Sequence, residues 1–194
     1  MNIHFSELFK KYNLLNHPFY LAWNEGRLTQ QQLALYAAEY GAFIKLISKG
    51  WQQIREQEIA NEETEHFHLW QNFAISIGAG SINANLPSSK QLVSLTEESY
   101  KTYAGALGAL YAFEAQQPAT ASSKLEGIRK HYAHWNADET YFKVHKNDLY
   151  EPALLEDKIN MLSDNDKAIA TSACAASCKA LWDALSGIME YNMN

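Results

Sequence analysis

Apolar positions recur at helical spacing along almost the whole chain. Leu33, Tyr36, Ala37, Tyr40, Ile44, Ile47, Trp51 and Ile54 form one such series. Thr29 and Gln32 stand at its start with capping-box spacing, each side chain placed to meet a free backbone N–H of the first turn. The series predicts a long amphipathic helix with an aromatic inner stripe, bending near Gly50. Leu69, Phe73 and Ile77 form a further apolar series that ends at Gly78. Upstream, Pro18 and Phe19 open a short helix that stops near Gly26.

The segment GAGSINANLPSS is the clearest loop. A helix follows from about Ser88, interrupted near Leu95 and running to Gln117, where Pro118 ends it. Ser122 and Ser123 precede another, KLEGIRKHYAHW. Asp138 suits the N-cap of a helix carrying Tyr141, Phe142 and His145, and Pro152 fits the first turn of the next. The stretch from Ser163 to Asp166 is a turn, and the last helix runs to about Tyr191. Period-two alternation and β-branched runs are scarce. The reading is therefore all-α: a single domain over residues 1–194, built as a bundle of about seven or eight helices.

Composition narrows the class. Hydrophobic residues make up 47% and charged residues 20%, which suits an ordinary globular core. A net charge of -6 with no basic stripe argues against a nucleic-acid partner. The start, MNIHFSELFKKYN, has no long apolar run, so neither a signal peptide nor a membrane anchor is expected there. Cys174 and Cys178 share one helix face and read as small buried side chains; so few cysteines point to the cytoplasm.

Three segments offer metal-binding chemistry. In NEETEHFHLW, Glu62 and Glu63 lie four and three residues before His66, so either carboxylate shares a helix face with the imidazole. Glu-x-x-His is the spacing of di-iron carboxylate bundles. In ALYAFEAQQP, Glu114 sits in an apolar run, where a carboxylate is costly to bury unless paired or metal-bound. In YFKVHKNDLYEP, His145, Asp148 and Glu151 follow at three-residue steps. Each segment taken alone also reads as a solvated or exposed helix face. Three together match the way a bundle builds a metal site from facing helices.

These segments, with NHPFYLAWNEGRLTQQQLALYAAEY near the N-terminus, resemble the heme-oxygenase-like di-iron oxidases over most of the chain. That family belongs to a larger superfamily with thiaminase II and pyrroloquinoline quinone synthase. Within it the likeness runs to the self-sacrificing para-aminobenzoate synthases. The resemblance implies a heme-oxygenase-like bundle holding two ferrous ions, with manganese as the alternative in one site. Its ligands map to Glu62 or Glu63, His66, Glu114, His145 and Asp148, with Glu151 standing where the family has a histidine. The family's His-x-x-x-Asp-x-x-His is here His-x-x-Asp-x-x-Glu. The implied activity is oxidation, by O2, of a small amine-containing or aliphatic metabolite or of the protein's own tyrosine.

For the para-aminobenzoate synthases, the resemblance assigns the spent tyrosine to Tyr20 and the nitrogen-donating lysine to Lys124. Phe113 replaces the family's tyrosine directly before the central glutamate. A homodimer is common in the superfamily and is expected on that ground. The altered last motif keeps two other classes open: a metal-free enzyme of the thiaminase or quinone-synthase type, and a non-catalytic partner-binding bundle. His17 reads as a cap, His68 as solvent-facing or as backing a ligand, His131 and His134 as surface or packing residues, and Lys45 as a snorkelling side chain. Trp51, Trp70 and Trp182 read as core anchors, and Tyr36, Tyr40 and Tyr111 as core or pocket lining.

Overall fold

The structure, a computed structural model, describes residues 3–191; the outermost residues of the expected domain lie outside it. The α-helices are α1 (Ile3–Lys11), α2 (Pro18–Asn24), α3 (Gln30–Ile44), α4 (Ile47–Gln53), α5 (Gln57–Ser76) and α6 (Pro87–Ser99). They continue with α7 (Tyr103–Glu114), α8 (Gln117–His131), α9 (Thr140–His145), α10 (Tyr150–Asn160) and α11 (Asp164–Glu190). Short 3-10 turns cover Leu14–Asn16 and Ala133–Trp135, and no strand occurs among the described residues.

Helix α7 is the axis. Its sequence, YAGALGALYAFE, is apolar on every side, and every residue from Ala104 to Glu114 is buried. A helix without a polar face can only be stable inside other helices. It packs mainly on α11, and also on α10, α4 and α6. Gly108 lets the α7 backbone lie against the Ala170 carbonyl of α11, where any Cβ would collide.

The helix starts read from the sequence hold at several points. Thr29 accepts from Gln32 N and completes its capping box. His17 Nδ1 accepts from Phe19 N at 3.0 Å and caps α2. Gly26 and Gly78, the expected stops, adopt φ of +70° and +77°, values that favour glycine.

The breaks differ from the sequence reading. The long helix divides between Ile44 and Ile47 rather than bending at Gly50. The next division falls between Ser99 and Tyr103 rather than near Leu95, because Thr102 caps α7 by accepting from Gly105 N. Pro118 stands in the first turn of α8, so Ser122 and Ser123 lie inside that helix.

Candidate metal centre

Glu63 and His66 project from the same face of α5. Glu63 is buried and accepts a hydrogen bond from His66 Nδ1 at 2.6 Å. Opposite them α9 ends on His145, whose ring meets His66 edge to face with centroids 4.6 Å apart. One ligand atom each from Glu63, His66 and His145 lies within 4.8 Å of the others. Glu114, the last residue of α7, and Glu151, in the first turn of α10, are also buried. Four helices thus direct carboxylates and imidazoles to one region.

The electrostatics are those of like charges out of water. Burial, then the charges of Glu151 and Glu63, hold the Glu114 carboxyl well above the usual range. Burial and the charges of Glu63 and Asp148 push Glu151 up to about 9, against a hydrogen bond from Glu114 that favours its ionised form. Burial first, then the charges of His66 and Lys124, take His145 down to about 3, so its imidazole is neutral. Burial pulls His66 down as well, but the Glu63 carboxylate outweighs it and the pKa ends above its ordinary value.

Both ring nitrogens of His145 and Oε1 of Glu114 are buried without a protein partner. Each such atom costs about 1–3 kcal/mol if left unmet. A cation would satisfy Glu114 Oε1 and one ring nitrogen of His145, the other carrying the hydrogen of the neutral ring, and would cancel the carboxylate repulsion. Hard carboxylate oxygens with imidazole nitrogens suit iron or manganese. The donor set therefore fits a metal ion and is compatible with iron.

Two other sequence candidates take different places. Glu62 is exposed on the outer face of α5. Asp148 is half-buried, and its Oδ1 accepts from Tyr150 N at 3.1 Å and Glu151 N at 3.4 Å. It caps α10 and so orients Glu151, while its charge raises the pKa of Glu114, Glu151 and His66.

An aromatic cluster adjoins the carboxylates. Tyr141 lies 4.4 Å from the His145 ring and 4.9 Å from Trp70, centroid to centroid, and its hydroxyl accepts from Gln117 Nε2 at 2.8 Å. Tyr40 stacks on Tyr36 at 5.2 Å. The hydroxyls of Tyr20 and Tyr36 are 3.3 Å apart. Lys124 Nζ donates to Tyr36 Oη at 3.1 Å and lies 5.2 Å from the centroid of the Tyr20 ring. Lys124 is 2% exposed, and no carboxylate pairs with it among the described residues. Burial lowers its pKa to about 7, so a large share of the amine is neutral near pH 7. Burial also raises both phenols, Tyr20 and Tyr36, so they stay protonated.

Sequence reasoning missed Gln117, which holds the Tyr141 hydroxyl, and Tyr100, whose phenol is raised by burial and then by the charges of Glu114 and Glu63, and it read Trp51, which faces Glu114, as a core anchor only. Gln117 reads from the sequence as the end of a helix, and Tyr100 lies in a helix break that no periodicity marks. Charge patterning flags neither. A surface groove of about 720 Å³ between α1 and α11, lined by Leu8, Lys11 and Thr171 among others, is separate from these residues.

No family model matches the chain. It is 32% identical to the 4-aminobenzoate synthase of Nitrosomonas europaea, with 92% of this chain and 86% of that protein covered. It is 27% identical to the 4-aminobenzoate synthase of Chlamydia muridarum, covering 92% and 85%. Among solved structures, a domain of unknown function with a heme oxygenase-like fold from Shewanella denitrificans superposes with a TM-score of 0.79 at 16% identity, covering 95% of this chain and 90% of that one. A TenA homolog from Pseudomonas syringae pv. tomato gives 0.72 at 13% identity, covering 97% and 93%. The folded backbone is thus heme-oxygenase-like, and by its sequence the chain belongs to the 4-aminobenzoate synthase family of enzymes.

Proposed function

We propose that this chain is an iron- and O2-dependent 4-aminobenzoate synthase that consumes its own Tyr20 and takes the amino nitrogen from Lys124. The observation that carries this reading is the placement of Lys124. A buried amine, neutral in large part near pH 7, touches a tyrosine pair beside a carboxylate–imidazole cluster. Glu63, His66, Glu114, His145 and Glu151 would hold the metal, two iron ions in this reading or manganese in one position. Bound there, the metal would supply the activation of O2, which accepts the electrons removed from the tyrosine.

The chain's own groups prepare that chemistry. Lys124 Nζ keeps a lone pair in the neutral form and is held by Tyr36 over the Tyr20 ring. Tyr20, Tyr36, Tyr40 and Trp70 are each no more than 1% exposed, which keeps water from the reacting ring. Phe113 is buried against Phe43 at 5.2 Å and offers no phenol, so the ring must come from another position, and Tyr20 meets that need. The proposal extends to one domain over 1–194 acting in the cytoplasm as a homodimer. No helix among the described residues is long and apolar enough to cross a membrane.

The test is protein made with ring-labelled tyrosine and 15N-lysine, loaded anaerobically with ferrous iron and then exposed to O2. Labelled 4-aminobenzoate carrying both isotopes, at no more than about one per chain, is expected by mass spectrometry. Tyr20→Phe should abolish it with metal content intact. Unlabelled product, or product from metal-free protein, would place the chain with the metal-free enzymes of the superfamily.

A further inference from the structure

Two buried donors face the centre without an acceptor. Tyr100 is 8% exposed, yet its hydroxyl has no hydrogen-bond partner, and neither has Trp51 Nε1. Gly50 explains how the tyrosine reaches this place. A Cβ there would stand 2.5 Å from Tyr100 Cζ, 2.8 Å from its hydroxyl and 2.9 Å from a Leu110 methyl. The phenol therefore lies across α4 beside Leu110 of α7. Glu114 stands one turn further along the same face of α7. Burial first, then the charges of Glu114 and Glu63, hold the Tyr100 phenol well above its usual range. Trp51 also faces Glu114 and favours its ionised form, although the indole does not reach hydrogen-bond geometry.

A phenol, an indole N–H and Glu114 Oε1 thus converge in one buried region, and none of the three satisfies another. Buried donors and acceptors are nearly always satisfied in native proteins. The indole N–H is a donor only, and the phenol, kept protonated by its burial, has a hydrogen to offer as well. They suit a small ligand with lone pairs sitting between them and the metal.

We propose that Tyr100 and Trp51 are hydrogen-bond donors to the small exogenous ligand that completes the metal centre beside Glu114. This rests on the metal reading above. In a chain where Phe113 brings no phenol to Glu114, Tyr100 brings one from the α6–α7 break. Its role is to hold and orient what binds at the open coordination position, and it is distinct from the spent Tyr20.

Azide binding to the cobalt(II)-loaded chain, followed through the visible cobalt absorption, tests this without any turnover. Tyr100→Phe is expected to keep the cobalt stoichiometry and to keep or raise the melting midpoint of the metal-free protein, because it removes only an unpartnered hydroxyl. Its azide Kd should rise about 3- to 10-fold, the loss of one hydrogen bond. Trp51→Phe, run alongside, should weaken azide in the same range, so the outcome does not depend on the folding of one variant. Unchanged azide affinity in both variants overturns the proposal. So does a fall in cobalt stoichiometry, which would make these groups supports of the ligand set instead. A wild-type chain that takes up no cobalt overturns the metal reading itself, and shows it before azide is added.

Discussion

Lys124 shows most sharply what a single residue contributes. Its amine is buried with a phenol as its hydrogen-bond partner, and burial lowers its pKa from 10.5 to about 7. Between those values the unfolded chain binds a proton that the folded chain does not, so stability rises with pH across that window. Below about pH 7 the whole cost of burying the amine is present. Lys124→Met should therefore be more stable than the wild type at pH 6, by up to several kcal/mol. The gap should close as the pH approaches 10. Urea unfolding of both proteins at pH 6, 8 and 10 measures this, and a gap that does not vary with pH would refute it. The amine costs stability while making one hydrogen bond and lying over the Tyr20, Tyr36 and Phe142 rings, which is in keeping with the reactant role proposed for it.

At the scale of elements, helices are joined by side chains that reach across to cap one another. Leu86, at the start of α6, brings no side-chain cap of its own. Glu39 of α3 supplies it, accepting from Asn85 N at 2.9 Å and Leu86 N at 3.0 Å while 2% exposed. Glu39→Ala leaves those N–H groups unmet and should cost about 2 kcal/mol. Glu39→Gln, which keeps an acceptor oxygen, should cost less than half of that. Thermal melts of the two variants decide it; equal losses would mean that the charge rather than the acceptor matters. Asp148 acts locally instead, accepting from the first N–H groups of α10, whose first turn carries Glu151. It therefore orients a donor of the centre through the helix it caps.

For the molecule as a whole, the donor set makes metal and stability one question. Burial and the neighbouring carboxylates push Glu151 up to about 9 in the folded protein and raise Glu114 beside it. A carboxyl whose folded pKa lies above its unfolded value contributes stability that is full below the unfolded pKa and is lost as pH rises through the folded one. In metal-free protein, Glu151→Gln should match the wild type near pH 4.5 and become progressively more stable than it toward pH 9. With ferrous iron bound the order should reverse, because the carboxylate is then a ligand and the amide a poor one. Melting curves of both proteins across that range, with and without ferrous iron under argon, check the two signs. A variant that tracks the wild type at every pH would separate Glu151 from the centre.

The sequence by itself determined the helices, their apolar faces and most of their caps. These depend on contacts within four residues, such as Thr29 with Gln32, His17 with Phe19 and Ser163 with Asp166. It also held the donor types in three segments, and the likeness that named Tyr20 and Lys124. Only the tertiary structure decided which donors meet. Glu62 and Glu63 differ by one residue, about 100° around a helix, and the packing of α5 left Glu62 exposed and Glu63 buried against His66. Asp148 and Glu151 share one sequence motif, yet the start of α10 between them turned one into a cap and buried the other. Tyr100 lies across α4 beside Leu110 of α7 only because Gly50, fifty positions away, leaves room for its ring. Local spacing cannot encode these choices, since each is fixed by which face of a neighbouring helix the chain happens to meet.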